Sequence, residues 1–145
     1  MNIEAFEILL VEDSMNDAEM TMEALSKSKV ANKIVHLKDG AEALDYIFCE
    51  RKYENRKMIN PVFILLDLKM PKVNGIEVLE RIKSDNRTKN IPVTVFTSSE
   101  EDPDVKKCYE LCVNSYVVKP LSFESFNKVV SEIGFYWVLL NHPVV

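Results

Sequence analysis

Residues 61–75 read Pro-Val-Phe-Ile-Leu-Leu-Asp-Leu-Lys-Met-Pro-Lys-Val-Asn-Gly. Val62 to Leu66 form an unbroken apolar run, and Asp67 ends it with a single carboxylate. A run this apolar and this rich in β-forming residues suits a strand buried on both faces of a parallel sheet. Pro71 and Gly75 then mark a turn ahead of the next helical pattern. Asp67 is thereby expected at the carboxyl end of a central strand, the edge of an open α/β sheet where ligands bind. A charge in that position needs either open water or a partner.

The same alternation of short apolar runs and helical patterns continues on both sides. Phe6 to Val11 reads as a first strand ending in Glu12-Asp13, and a helix is expected from Asn16-Asp17 to about Lys29. Lys33 to Leu37 is a second strand, and Gly40 opens a helix with Leu44, Ile47 and Phe48 on one face. After the strand Val62 to Asp67, Ile76, Leu79 and Ile82 line a third helix. Ile91 to Thr97 is a fourth strand, and Val105, Cys108 and Cys112 are expected on one face of the helix after it. Ser115 to Val118 is a fifth strand that runs into Lys119-Pro120. Ser122 can cap a last helix carrying Phe123, Phe126, Val130, Ile133 and Trp137 on one side. Five β-α units in strict alternation imply an α/β fold, a parallel sheet covered by helices on both faces. The charged stretch Glu50 to Asn60 lacks apolar periodicity and reads as a long surface loop.

Composition narrows the classes. A chain of 145 residues fits one domain, and 47% hydrophobic content can fill its core. A net charge of −5 argues against nonspecific nucleic-acid binding, which needs clustered Lys and Arg. No basic leader precedes an apolar segment at the start, and no apolar run reaches bilayer length, so no membrane partner and a cytoplasmic location are expected. Cys49, Cys108 and Cys112 lack CxxC spacing, and only His36 and His142 could join them. Reduced thiols that pack as small hydrophobes fit better than a zinc site.

The strand ends hold the polar residues: Glu12-Asp13, Asp67, Thr97-Ser98-Ser99 and Lys119-Pro120. In a parallel sheet these ends share one edge, so residues distant in sequence converge. Three carboxylates in one cleft repel unless a cation neutralises them. A hard divalent metal and the Lys119 ammonium are the two candidates. Taken together, Glu12-Asp13, Asp67, Thr97 and Lys119-Pro120 resemble the response-regulator receiver domain of two-component signalling, over about Phe6 to Ile133.

The resemblance implies a flavodoxin-like, doubly wound sheet of strand order 2-1-3-4-5 forming a single receiver domain over residues 1–145. It implies that Asp67 accepts a phosphoryl group from a phosphohistidine on a partner histidine kinase. Asp13 and Asp67 would hold Mg²⁺, with the Lys69 backbone carbonyl as a further ligand and Glu12 beside the metal. Thr97 would bond a phosphoryl oxygen, and Lys119 would neutralise its charge, which suits a transfer that depends on positioning and electrostatics. Thr97 and Tyr116 would form the switch, and the bond before Pro120 would be cis.

Each residue alone has a plainer reading: a solvated strand end for Glu12-Asp13, a turn cap for Asp67, a hydroxyl in an ordinary turn for Thr97, a surface charge for Lys119. Their coincidence at successive strand ends favours the receiver. A Mg²⁺-dependent phosphatase with an Asp nucleophile would want a second Asp where this chain has Lys69. A constitutive receiver-like scaffold is the other alternative. The sequence stops soon after the fifth helical pattern, so output by protein contact or phosphorelay is expected.

Two features stand apart. Gly134 to Leu140, opening a C-terminal tail over 134–145, is apolar nearly all round, and Gly134 weakens a helix there by roughly 1 kcal/mol. A homodimer through the last helix and the Phe135–Trp137 tail is expected. This tail and the Glu50 to Asn60 loop are similar to small stand-alone receivers that pair with bacterial phytochrome-type histidine kinases. Cys112-Val113 replaces the Gly-Ala common in receivers ahead of the fifth strand.

Overall fold

Phe63, Ile64, Leu65 and Leu66 are completely buried, as a central strand must be when helices cover both its faces. They form β3 (Phe63–Leu66) in a computed structural model that describes residues 7–27 and 33–142. The other strands are β1 (Glu7–Val11), β2 (Lys33–Leu37), β4 (Val93–Thr97) and β5 (Ser115–Val118). The helices are α1 (Met15–Lys27), α2 (Gly40–Ile47), α3 (Gly75–Ser84), α4 (Asp102–Glu110) and α5 (Phe123–Phe135). All pairings are parallel, and the order is β2-β1-β3-β4-β5, the expected flavodoxin-like topology. The chain winds one way from β1 to β2 and the other way from β3 onward, which leaves a crevice beyond the carboxyl ends of β1 and β3.

Side-chain alternation sorts the core into two layers. Leu9, Val11, Ile64, Leu66, Val93 and Val95 face one side, against Ala43 and Ile47 of α2, Val78, Leu79 and Ile82 of α3, and Cys108 of α4. Ile8, Leu10, Phe63, Leu65 and Phe96 face the other, against Ala18 and Leu25 of α1 and Phe126 and Val130 of α5.

Several boundaries differ from expectation. The start of β1 at Phe6 and the end of α1 near Lys29 lie outside the described residues. The other end of α1 begins at Met15, because the Ser14 hydroxyl accepts the Asp17 N–H at 3.3 Å and caps the first turn. Val62 and Asp67 flank β3 without joining it, although their N–H groups still bond Glu7 and Val11 carbonyls. β4 begins at Val93 and not Ile91.

The 50–60 segment carries structure of its own. It forms a 3-10 turn at Arg51–Tyr53, and the Arg56 guanidinium stacks on the Tyr46 ring and donates to the Tyr46 carbonyl at 2.6 and 2.9 Å. A cation is thereby fixed on the carbonyl end of α2, where the helix dipole favours it.

Cys108 and Cys112 do not share a helix face. Cys108 is buried on α4, while Cys112 lies past its end, exposed, with φ 66°. The Cys112 N–H bonds the Tyr109 carbonyl and the Val113 N–H bonds that of Cys108, the paired bonds of a Schellman cap. Cys49, with φ 56°, closes α2 the same way through Tyr46 and Asp45 carbonyls.

At the last helix the Ser122 hydroxyl accepts the Ser125 N–H at 3.1 Å, as expected of a cap. Phe126 and Val130 are buried, but Phe123 is 57% exposed and off the core side. A π-helical turn, Tyr136–Leu140, extends α5 and divides the apolar tail. Trp137 and Val138 pack against the core, whereas Phe135, Tyr136, Leu139 and Leu140 face outward. Trp137 thus lies on the same side of the last helix as Phe126 and Val130, as expected, and stays partly exposed there. Among the described residues no helix is long and apolar enough to cross a membrane.

Candidate functional site

The carboxyl ends of β1, β3, β4 and β5 bring the polar residues together. Glu12 follows β1 directly. Its N–H bonds the Leu37 carbonyl, its own carbonyl accepts from His36 Nε2 at 2.7 Å, and its Oε2 accepts the Ser14 N–H at 3.1 Å. These bonds hold a carboxylate that is only 2% exposed. Asp13 is exposed beside it.

Asp67 follows β3 and is 8% exposed. Its Oδ1 accepts the Leu68 N–H at 2.8 Å, and its Oδ2 faces Lys119. Gly75 begins α3 directly against this strand end. A Cβ on Gly75 would overlap the Asp67 carbonyl, so only glycine permits the approach.

Lys119 reaches in from the end of β5. Its Nζ lies 2.6 Å from Glu12 Oε1, 2.8 Å from Asp17 Oδ2 and 3.4 Å from Asp67 Oδ2. Its backbone N–H donates to the Thr97 carbonyl at 2.7 Å, which fixes where the side chain starts. The expected cis bond before Pro120 is absent: the described residues contain no cis peptide bond. Trans is the default even before proline, by about 0.5–1 kcal/mol. With the Thr97 anchor in place, the ammonium reaches the carboxylates from a trans bond.

Charge and burial set the protonation. Burial pushes the Glu12 carboxyl up to about 7, against the opposing pull of the Lys119 ammonium, and the Asp67 charge adds to the rise. Burial works to lower the Lys119 pKa, but its bonds to Asp17 and Glu12 win and hold it above the ordinary lysine value. Lys119 is thus a fixed cation among carboxylates.

Glu12, Asp13 and Asp67 each place an oxygen within 4.8 Å of the others. An all-oxygen set of three carboxylates suits a hard divalent ion such as Mg²⁺. Lys69 lines the cavity at the mouth of this cluster together with Asp13 and Asp104.

Thr97 is fully buried at the end of β4, and its hydroxyl accepts the Ser99 N–H at 3.3 Å. Tyr116 turns its hydroxyl onto the Ser99 carbonyl at 2.8 Å, and the Ser99 hydroxyl donates to Asp104 at 2.6 Å. Ser99 therefore joins the β4 end, the Tyr116 ring and the first turn of α4. The structure brings Glu12, Asp13, Asp67, Thr97 and Lys119 to one edge, with Tyr116 one link away.

Sequence reading missed Asp17 and Asp104. Asp17 falls one helical turn after Asp13, on a helix rooted at the strand end, and that spacing was the available signal. Asp104 has only its place in the first turn of α4.

Residues 8–131 match the response regulator receiver domain family. The chain is 44% identical over 133 residues to the probable methanogenesis regulatory protein FilR2 of Methanothrix harundinacea, covering 92% of this chain and 84% of that one. It is 40% identical over 131 residues to response regulator Rcp1 of Synechocystis, covering 90% and 88%. The solved Mn²⁺-bound form of Rcp1 superimposes with a TM-score of 0.90 at 37% identity, over 97% of this chain and 99% of that one. The phosphorylated cyanobacterial phytochrome response regulator RcpA gives the same score, identity and coverage.

Proposed function

Because this chain belongs to the response-regulator receiver family of two-component signalling, we propose that Asp67 accepts a phosphoryl group from a phosphohistidine of a sensor histidine kinase. The observation that carries this reading is the convergence of Lys119, Glu12 and Asp13 on the Asp67 carboxylate. An Asp67 oxygen attacks phosphorus, the phosphorus–nitrogen bond breaks, and the imidazole leaves and takes up a proton. Such a transfer needs positioning and charge neutralisation more than covalent assistance. Asp67 is positioned by the end of β3 and by the Leu68 N–H. Lys119 supplies a permanent positive charge on the side of Oδ2.

Mg²⁺ held by Asp13 and Asp67, with Glu12 beside it and the Lys69 carbonyl as a further ligand, would neutralise phosphoryl charge. The Mn²⁺-bound form of the related Rcp1 supports this assignment. The Thr97 hydroxyl then turns from the Ser99 N–H to a phosphoryl oxygen. Tyr116, bonded to Ser99, follows that movement and carries it to the α4–β5 surface.

The protein acts as a signalling phosphoacceptor and not as a turnover enzyme, a single receiver domain in the cytoplasm with neither nucleic acid nor membrane as partner. Its output is protein contact or phosphorelay. The kinase is of the phytochrome type, a reading supported by the likeness to RcpA. Copies pair through α5 and the outward residues Phe135, Tyr136, Leu139 and Leu140.

Incubation with Mg²⁺ and phosphoramidate is expected to add one phosphoryl mass to the intact protein. No addition, or an addition that persists in Asp67→Asn, would sink the assignment.

A further inference from the structure

Lys119 has more acceptors than phosphoryl chemistry at Asp67 calls for. The ammonium sits closer to Asp17 Oδ2, at 2.8 Å, than to Asp67 Oδ2, at 3.4 Å. Asp17 is not one of the clustered carboxylates suited to a metal; it belongs to the first turn of α1. That turn is fixed at both ends, by the Ser14 cap on the Asp17 N–H and by the Thr21 hydroxyl on the Asp17 carbonyl at 2.7 Å. The Asp17 backbone therefore cannot follow the lysine, and the carboxylate reaches only as far as its short side chain allows. Asp17 and Lys119 also line one wall of a cavity of about 410 Å³ with Met20, Leu121 and Phe123, so the side chain has room to lose its partner.

We infer that Asp17 is a positioning residue that draws Lys119 toward α1 and away from the phosphoryl position, so that it competes with the phosphoryl group for the ammonium. The inference rests on Asp67 being the phosphoacceptor. A phosphoryl group on Asp67 adds acceptor oxygens and negative charge within reach of Nζ. Lys119 can satisfy that group fully only by loosening its bond to the fixed Asp17. Asp17 thus raises the free energy of the phosphorylated form relative to the free one, and its loss favours phosphorylation. Through the shared lysine, phosphorylation in turn frees the Asp17 carboxylate at the cavity wall.

The test is the affinity of the full chain, with saturating Mg²⁺, for beryllofluoride, a phosphoryl mimic read by fluorine NMR. Asp17→Asn is expected to bind the mimic about twofold to fivefold more tightly than the wild type, the size of a partly exposed ion pair. Asp17→Glu should return toward wild-type affinity. In a Lys119→Ala background the Asp17→Asn change should have no effect. Asp17→Ser is the second variant should the asparagine form fold poorly. Unchanged or weaker binding in the single variants overturns the inference while leaving Asp67 as acceptor. An equal gain in the Lys119→Ala background overturns it too, because it would show simple charge repulsion without the lysine. A wild type that binds no mimic overturns both this inference and the phosphoacceptor reading.

Discussion

The indole N–H of Trp137 donates to the Thr94 hydroxyl at 2.7 Å, pinning the C-terminal turn to β4. Thr94 is itself bonded to the Ser115 hydroxyl at 2.8 Å, so the tail, β4 and β5 share one polar link inside an apolar layer. Trp137→Phe keeps most of the ring contact but leaves this link short of a donor. It is expected to cost about 1–2 kcal/mol in urea denaturation. Trp137→Ala adds the lost ring and should cost about 3–5 kcal/mol. Equal stability of the wild type and the alanine variant would mean the turn does not seat on the sheet.

Turning Trp137 inward leaves Phe135, Tyr136, Leu139 and Leu140 as the exposed part of the tail. If copies pair there, Leu139→Glu with Leu140→Glu should yield monomers in sedimentation equilibrium at concentrations where the wild type is dimeric. Burying two carboxylates in an apolar interface costs far more than exposing them. A wild type that is already monomeric at high concentration removes the dimer.

Cys112 fills a left-handed position, φ 66°, at the Schellman cap of α4. A side chain there carries a penalty that glycine avoids, so Cys112→Gly is expected to raise unfolding free energy by about 0.5–1 kcal/mol. Destabilisation on chemical denaturation would contradict the strain. The missing glycine was legible in the sequence, but the helix end that makes it matter was not. Periodicity locates the apolar face of α4, and it cannot say on which residue the helix stops.

The same limit explains what else could be read in advance. β2, α2 and β5 fall where expected because their apolar pattern and flanking residues agree, Gly40 and Ser115 marking sharp starts. The convergence of Glu12, Asp67, Thr97 and Lys119 follows from strand order alone, since each ends a neighbouring strand. Asp17 and Phe123 were missed or misplaced because tertiary contacts decide them. Asp17 acquires its meaning only when β5 delivers Lys119 beside α1. Trp137 keeps to the apolar side expected of it, and the Thr94 hydroxyl gives its indole N–H an acceptor there.

Gly75 couples the fold to the site. A methyl group there overlaps the Asp67 carbonyl and presses on Leu68, both backbone, which cannot rotate away. Gly75→Ala is expected to destabilise the protein by about 1–3 kcal/mol. It should also weaken Mg²⁺ binding, because the shift moves Asp67 itself. Unchanged Mg²⁺ affinity in titration calorimetry would show that the strand end tolerates the displacement.

Glu12 gives a pH dependence with a definite sign. Burial raises its carboxyl from 4.5 to about 7 in the metal-free fold, so the folded state holds a proton that the unfolded chain has released. That contribution to stability is fully present below about pH 4.5 and is lost as pH rises through about 7. Divalent metal reverses the trend, since it favours the charged carboxylate and displaces the proton. Mg²⁺ affinity is therefore expected to increase with pH up to about 7 and then level off. Glu12→Gln keeps the acceptor for Lys119 but cannot titrate. Its metal-free stability should lack the decline toward pH 7, and its Mg²⁺ affinity should lack the matching rise. Thermal unfolding across pH 5–8 with and without Mg²⁺ measures both. A wild type whose metal-free stability climbs over that range would show that the Lys119 attraction, and not burial, governs Glu12.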